Sequence, residues 1–248
     1  MSQAALVTGA ARRIGRAIAL ALSEAGYAVA IHAGHAVAEA EALCAEIERT
    51  GRRAAVVRGD LADHAAVAAL VPSAVAAIGP LTLLVNNAAM FEPDDLGHLD
   101  RAQFDRQFAV NLRAPLFLAQ AFAAQAPDGS CIINVLDQRV LKLTPQFVSY
   151  TLAKSALHTA TRTLAQALAP KVRVNAVAPG PTLPSARQQG DDFARQAAAL
   201  PLGRGPAPEE IGAAIVFLAG ARSITGQTLA VDGGQHIAWQ TPDVGMTE

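Results

Sequence analysis

Seven short apolar runs recur along the chain: AALVT (4–8), AVAIH (28–32), AAVVRGD (54–60), LTLLVNN (81–87), CIINVLD (131–137), VRVNAVAP (172–179) and QTLAVDGG (227–234). Most are continuously apolar instead of alternating, the pattern of parallel strands covered on both faces. Parallel neighbours need long crossovers, and the intervening stretches supply them. Ile14, Ala17, Ile18, Ala21 and Leu22 recur at helical spacing before a stop at Gly26. Residues Ala36 to Thr50 are Ala/Glu-rich with Gly51 behind them, and Tyr150 to Leu168 continues helically until Pro170 ends it. The alternation predicts an α/β fold: one domain over residues 1–248, an open, doubly wound sheet of seven parallel strands with helices on both faces. Ligands of such sheets bind beyond the carboxyl ends of the strands, so functional residues are sought there.

Composition narrows the partner. At 52% hydrophobic residues the 248-residue chain can bury a large core, and a formal charge of −1 offers no basic stripe for nucleic acid or an anionic membrane. No run approaches the roughly 20 apolar residues of a membrane span, and MSQAALVTGA has no signal-like leader. The expectation is a cytoplasmic protein acting on a small molecule, with no membrane partner. Cys44 and Cys131 fit no CxxC or metal spacing and are read as packing residues. His32 and His35 have no visible third ligand, so no metal site is expected.

The turn after the first run, TGAARRIG (8–15), leads into the amphipathic helix. Small residues let a backbone approach a pyrophosphate, and a helix N-terminus offers unpaired N–H groups and positive dipole to hold it. This strand–turn–helix order makes the fold Rossmann-like, although Arg13 stands where a middle glycine is usual. Gly9, Arg12, Arg13, Ile14 and Gly15 are the expected dinucleotide contacts. At the end of the second strand an NAD site normally presents a carboxylate to the ribose hydroxyls. Here the stretch reads IHAGHAVAE, and its first acid is Glu39, already in the next helix. Arg12 is therefore expected to meet a 2′-phosphate, with His32 and His35 nearby, and NADPH is the predicted cofactor.

Tyr150 and Lys154, in SYTLAKS, lie four apart on a predicted helix and share a face. A nearby ammonium favours the phenolate, so the lysine is expected to lower the tyrosine pKa toward a working range. IINVLDQ (132–138) delivers a carboxylate, Asp137, at the end of a buried run. Two readings stand for it: a group of the site, or a cap of the next segment paired with Arg139 or Lys142.

The TGAARRIG turn, Asp60 in GDL, NNAA (86–89), Asn111 in VNL, Tyr150 with Lys154, Pro179-Gly180 and VDGG (231–234) together resemble the short-chain dehydrogenase/reductase superfamily over essentially the whole chain. The resemblance implies that Asp60 and Leu61 border the adenine, Asn86 and Ala88 line the cofactor, and Asn111 helps hold a proton-relay water. It also implies that Lys154 grips the nicotinamide ribose, while Pro179, Gly180 and Thr182 contact the nicotinamide. A homo-oligomer, commonly a tetramer, follows from the same resemblance, and Trp239 could join its interface.

Most members carry a serine thirteen residues before the tyrosine, where this chain has Asp137. The pteridine reductases, including bacterial dihydromonapterin reductases, are similar in pairing an aspartate there with an arginine at the Arg13 position. That branch implies that Arg13 touches both phosphate and pterin, that Phe91 stacks on the pterin ring, and that Leu183 walls the site. It usually places a tyrosine and an Arg-Ser pair after the second strand, where this chain has AGHA (33–36). The Pro/Gly-rich stretch opening residues 179–205 is expected to cover the substrate, and residues 240–248 to form a tail. The resulting expectation is an NADPH-dependent reductase of 7,8-dihydropterins, with Asp137, Tyr150, Lys154 and Asn111 catalytic. The alternatives are a carbonyl reductase or alcohol dehydrogenase on a sugar, polyol or acyl thioester, and a nucleotide-sensing protein without chemistry.

Overall fold

The computed structural model describes residues 3–185 and 187–239; the predicted tail lies outside them. Seven strands, β1 (Ala4–Val7), β2 (Ala28–Ala33), β3 (Ala54–Arg58), β4 (Leu83–Asn86), β5 (Ser130–Val135), β6 (Val172–Pro179) and β7 (Thr228–Val231), pair in parallel in the order β3-β2-β1-β4-β5-β6-β7. Strand order reverses between β1 and β4, which opens a crevice at their carboxyl ends.

Helices α1 (Arg13–Glu24), α2 (Val37–Arg49) and α8 (Pro208–Gly220) cover one face. The other face is covered by α3 (His64–Ile78), α5 (Ala114–Gln125) and α6 (Val148–Leu168). Two further helices, α4 (Arg101–Phe108) and α7 (Asp192–Ala198), flank the crevice end, α7 forming inside the stretch expected to be loop. Successive residues of β1 explain the continuous apolar pattern: Ala5 and Val7 pack toward Ile18, Leu22 and Ile215, whereas Ala4 and Leu6 pack toward Leu70, Leu118 and Phe122.

Several strands stop short of their apolar runs. Thr8, Asp60, Asn87 and Asp137 all fall just beyond strand ends, where the chain turns and their polar groups meet main-chain partners. One polar ladder does enter the core. The Asn86 amide donates to Asn134 Oδ1 at 2.9 Å, Asn134 donates to Thr161 Oγ1 at 3.0 Å, and Thr161 donates to the Leu157 carbonyl at 3.0 Å, fastening β4 to β5 and α6. All three side chains are buried. Replacing Asn134 by alanine strands donors and acceptors on both neighbours, so Asn134→Ala is expected to cost about 1–3 kcal/mol, read as a lower urea midpoint with an unchanged slope.

Candidate active site

The β1–α1 turn is braced from three sides. Thr8 Oγ1 accepts the N–H groups of Asn87 (2.9 Å) and Ala88 (3.0 Å), and the Asn87 amide donates to the carbonyls of Thr8 (2.8 Å) and Gly9 (3.1 Å). The Gly9 N–H donates to His32 Nδ1 at 3.1 Å, while His32 Nε2 lies 2.9 Å from the Gly59 carbonyl. These partners assign the neutral Nε2–H tautomer, and burial pushes the His32 pKa down accordingly. His32 is therefore a brace and not the cofactor contact expected of it: it is buried, with both ring nitrogens on main-chain groups. His35 remains exposed.

Gly9 adopts φ +61°, and a Cβ there would lie 2.9 Å from Ala88 Cα. At Gly15 a Cβ would meet the Gly9 carbonyl oxygen at 2.1 Å, so helix and turn touch through bare backbone. Arg13 takes the left-handed conformation (φ 54°) at the position where a glycine is usual, so the chain accepts backbone strain to place a cation there. Ile14 is half-buried behind it. The first turn of α1 receives no side-chain cap, leaving its N–H groups and dipole toward the crevice. Asn86 Oδ1, buried at the end of β4, has no hydrogen-bond partner among the described residues. An uncapped helix start, a bare-backbone turn and an unpartnered acceptor at the strand reversal suit a dinucleotide.

Arg12 forms an ion pair with Glu39. The acid that sequence spacing leaves in the next helix is thus brought back to the cation by the fold. Asp60 accepts the Ala62 N–H at 2.9 Å and Arg106 at 3.1 Å, with Leu61 buried beside it. Pro179 ends β6 at the same edge, followed by Gly180, whose carbonyl accepts the Thr182 hydroxyl at 3.0 Å.

Asp137 follows β5 by two residues and starts a 3₁₀ turn, Gln138–Val140. Its Oδ1 accepts the Arg139 N–H at 2.9 Å, and its Oδ2 accepts the Tyr150 hydroxyl at 3.2 Å. The capping reading is realised on Oδ1, while Oδ2 is the oxygen held against the Tyr150 hydroxyl. One turn along α6, Lys154 Nζ donates to the Val135 carbonyl at 2.7 Å and lies 5.9 Å from the Tyr150 ring centroid.

The expected electrostatics are reversed. Burial first, then the Asp137 charge and hydrogen bond, push the Tyr150 pKa well above its ordinary value. Lys154 is itself pulled down to about 8 by burial. Asp137 is pushed up by burial, against the opposing pull of the Arg139 N–H and cation, Tyr150 and Lys154. The cluster is thereby set to hold protons: Tyr150 as a phenol, Asp137 as a weakened acid.

Asn111 sits in a π-turn, Ala109–Arg113, between α4 and α5. Its amide donates to the Met90 carbonyl at 2.8 Å and accepts the Met90 N–H at 3.0 Å, fixing the chain just ahead of Phe91. A cavity of about 530 Å³ opens beside these groups, lined by Asp137, Tyr150, Phe91, Arg13 and Leu183 among others. A larger groove of about 710 Å³ between α1 and α8 contains neither the tyrosine, the lysine nor the aspartate.

Phe91 stacks on Phe147 (centroids 4.2 Å apart, planes at 10°) and meets Tyr150 edge-on at 4.6 Å. A flat ligand would therefore meet an aromatic pair, one face of Phe91 being already covered. Arg13 donates to the carbonyls of Leu183 (3.2 Å) and Pro184 (3.0 Å), tying the first turn to the loop after β6. Arg187 of that loop reaches the Phe91 carbonyl (2.7 Å) and the Glu92 carboxylate (3.1 Å). Sequence reasoning missed Phe147, Arg187 and Asp94. Phe147 has φ +57° and cannot cap α6 with its side chain; instead its N–H donates to the Asp94 carbonyl at 2.9 Å. The Asp94 carboxylate accepts the Ser149 N–H at 3.2 Å and also the Ser149 hydroxyl. The only signal for Phe147 was an aromatic three residues before Tyr150; Asp94, 55 residues from Ser149, gave none.

The family model described as enoyl-(acyl carrier protein) reductase matches residues 9–236, and the chain belongs to the short-chain dehydrogenase/reductase superfamily of oxidoreductases. The chain is 52% identical to FolM alternative dihydrofolate reductase 1 from Brucella suis, solved in complex with NADP, with a TM-score of 0.95 and 98% of this chain and 99% of that one covered. The corresponding Brucella canis structure, also with NADP, is 51% identical at a TM-score of 0.95, covering 98% of this chain and 97% of that one. L-rhamnose 1-dehydrogenase (NAD(P)(+)) from a Sphingomonas species is 36% identical over 247 residues, covering 95% of this chain and 96% of the relative.

Because Asp94 caps the helix that carries Tyr150, Asp94→Ala is expected to destabilise the protein by about 1 kcal/mol, as cap removal commonly does. Asp94→Asn should recover part of the loss; equal urea midpoints for wild type and Asp94→Ala would contradict the capping role.

Proposed function

We propose that this protein is an NADPH-dependent reductase of 7,8-dihydropterins, of the dihydromonapterin or dihydrobiopterin kind, with dihydrofolate a poorer substrate. The observation that carries the reading is the Asp137–Tyr150 contact of 3.2 Å beside a cavity containing Phe91 and Arg13. Similarity to the Brucella FolM structures supports the same substrate class.

Gly9, Gly15 and the uncapped start of α1 would hold the pyrophosphate, with Lys154 and the Pro179–Thr182 segment at the nicotinamide end. NADPH, when bound, would supply the hydride. The remaining need is one proton for the ring nitrogen of the reduced C=N bond. Asp137, protonated on Oδ2, gives it up as the new N–H bond forms, and the carboxylate left behind is reprotonated from solvent through the cavity; the Tyr150 hydroxyl keeps its own proton and orients Oδ2 through the hydrogen bond the two share. A serine hydroxyl at this position has no comparable acidity. Since burial raises the Asp137 pKa, the protonated acid persists to higher pH than for a free carboxyl, and turnover falls as pH rises through that raised value. The proton is lost above it, not below, where the acid is fully formed.

Asp137→Ser should leave NADPH binding intact and lower dihydropterin turnover by roughly 10²–10⁴-fold; near-normal turnover would sink the role. A panel of dihydropterins, dihydrofolate and simple ketones with NADPH separates this reading from a carbonyl reductase, which would turn over the ketones alone. Arg12→Ala, which removes the cation proposed to meet the 2′-phosphate, should raise KM for NADPH roughly tenfold with little change for NADH. Equal effects on both would defeat the assignment. Exposed Phe117, Leu152 and Trp239 support a homo-oligomer, with a tetramer as the mass expected from light scattering.

A further inference from the structure

Arg139 is singled out by what surrounds its guanidinium. The side chain is only 18% exposed, yet among the described residues its hydrogen-bond partner is a single hydroxyl, Thr144 Oγ1 at 3.0 Å from Nη1. Its Cζ lies 4.9 Å from the Phe147 centroid and 5.5 Å from that of Phe91, within cation–π range of both rings of the stacked pair. Its Nε is 3.9 Å from Asp137 Oδ1, the same oxygen that accepts the Arg139 N–H. Main chain and cation of one residue thus converge on one oxygen of the carboxyl, and the rings and Thr144 keep the cation there.

We propose that Arg139 is a positioning residue for Asp137: it holds Oδ1 and leaves Oδ2, the oxygen hydrogen-bonded by Tyr150, as the one that gives its proton to substrate. The inference rests on the reading that Asp137 supplies the proton. A carboxyl free to rotate would share its proton between two oxygens, one of them turned from the cavity. With Oδ1 committed as an acceptor, the O–H that breaks during transfer is on Oδ2, and the carboxylate left behind takes its replacement proton from solvent through the cavity. The same arrangement sets the acid's strength. A cation about 4 Å from a carboxyl favours the ionised form, so Arg139 opposes burial and keeps Asp137 from becoming too weak an acid to release its proton.

Other charges face the same carboxyl. Tyr150 and Lys154 approach from α6, and Arg13, Arg187 and Asp192 line the same cavity from the start of α1, the loop after β6 and the start of α7. Arg13 is occupied by the Leu183 and Pro184 carbonyls, and Arg187 by Glu92 and the Phe91 carbonyl. Arg139 is the guanidinium whose distance to Asp137 is within ion-pair range among the described residues.

The test is a direct titration of the ligand-free protein. With aspartate labelled by ¹³C at Cγ, the resonance absent from Asp137→Asn identifies Asp137, and its apparent midpoint is followed with pH. Arg139→Met, which keeps the stem but removes the charge, should move that midpoint upward by about one pH unit, and Arg139→Lys should move it less. Thr144→Val, which frees the guanidinium without removing it, should give a smaller rise and serves if Arg139→Met does not fold. The alkaline limb of the dihydropterin turnover profile should shift in the same direction. An unmoved Asp137 midpoint in folded Arg139→Met, or in both Arg139→Lys and Thr144→Val, would overturn the proposal. If the midpoint moves while the wild-type protein turns over no dihydropterin, Arg139 keeps its role and the substrate reading fails.

Discussion

A parallel sheet covered on both faces has nowhere to place polar side chains except at the ends of its strands. In this chain that constraint organises everything else. Thr8, Asn86, Asp137 and Pro179 end or follow β1, β4, β5 and β6, four neighbours in the sheet. Their carboxyl ends therefore gather, from distant parts of the sequence, the β1–α1 turn, the Asp137 carboxyl and the edge of a cavity. Within the sheet, the buried ladder Asn86–Asn134–Thr161 spends its polarity on holding β4, β5 and α6 together, and Asn175 of β6 is buried with partners of its own, the Ile224 carbonyl and the Gln227 N–H.

Burial also decides the chemistry of the cluster. Tyr150 and Lys154 are both buried, so each is driven toward its neutral form: the phenol upward and the ammonium down to about 8. A lysine alone would favour a phenolate; a carboxylate at 3.2 Å has the opposite effect and is closer. Replacing the customary serine by an aspartate thus changes more than one hydrogen bond. It sets beside the phenol a carboxyl whose charge and hydrogen bond keep the phenolic proton in place.

Much of this was legible from the chain because its signals are local. The apolar runs place the strands, Gly9 and Gly15 mark the turn, and the spacing of Tyr150 and Lys154 marks the helix face. The signals that failed depend on tertiary distance. His32 looks like a ligand at a strand end until the Gly9 amide and Gly59 carbonyl close on its ring from both sides. Glu39 looks too far along the chain to matter, yet the start of α2 folds back to Arg12. The direction of the Tyr150 shift was misjudged because spacing says which groups are near and says nothing about how deeply they are buried. The sequence leaves Asp137 open between a cap and a site group; the fold uses one oxygen for the cap and holds the other against Tyr150, an arrangement that chain spacing alone does not express.

The capping of α6 has a consequence for how the active centre comes into being. An isolated helix of this sequence would begin with an aromatic residue that cannot satisfy its first amides; those amides are met by Asp94, a residue from the segment that follows β4. The same segment carries Phe91, and Asn111 pins it through Met90. Tyr150 is consequently not set by its own helix but by a remote strap of irregular chain. Local opening of that strap, far less costly than unfolding the sheet, would separate Phe91 from Tyr150 and Asp137 while leaving the β1–α1 turn and the strand ends around it assembled.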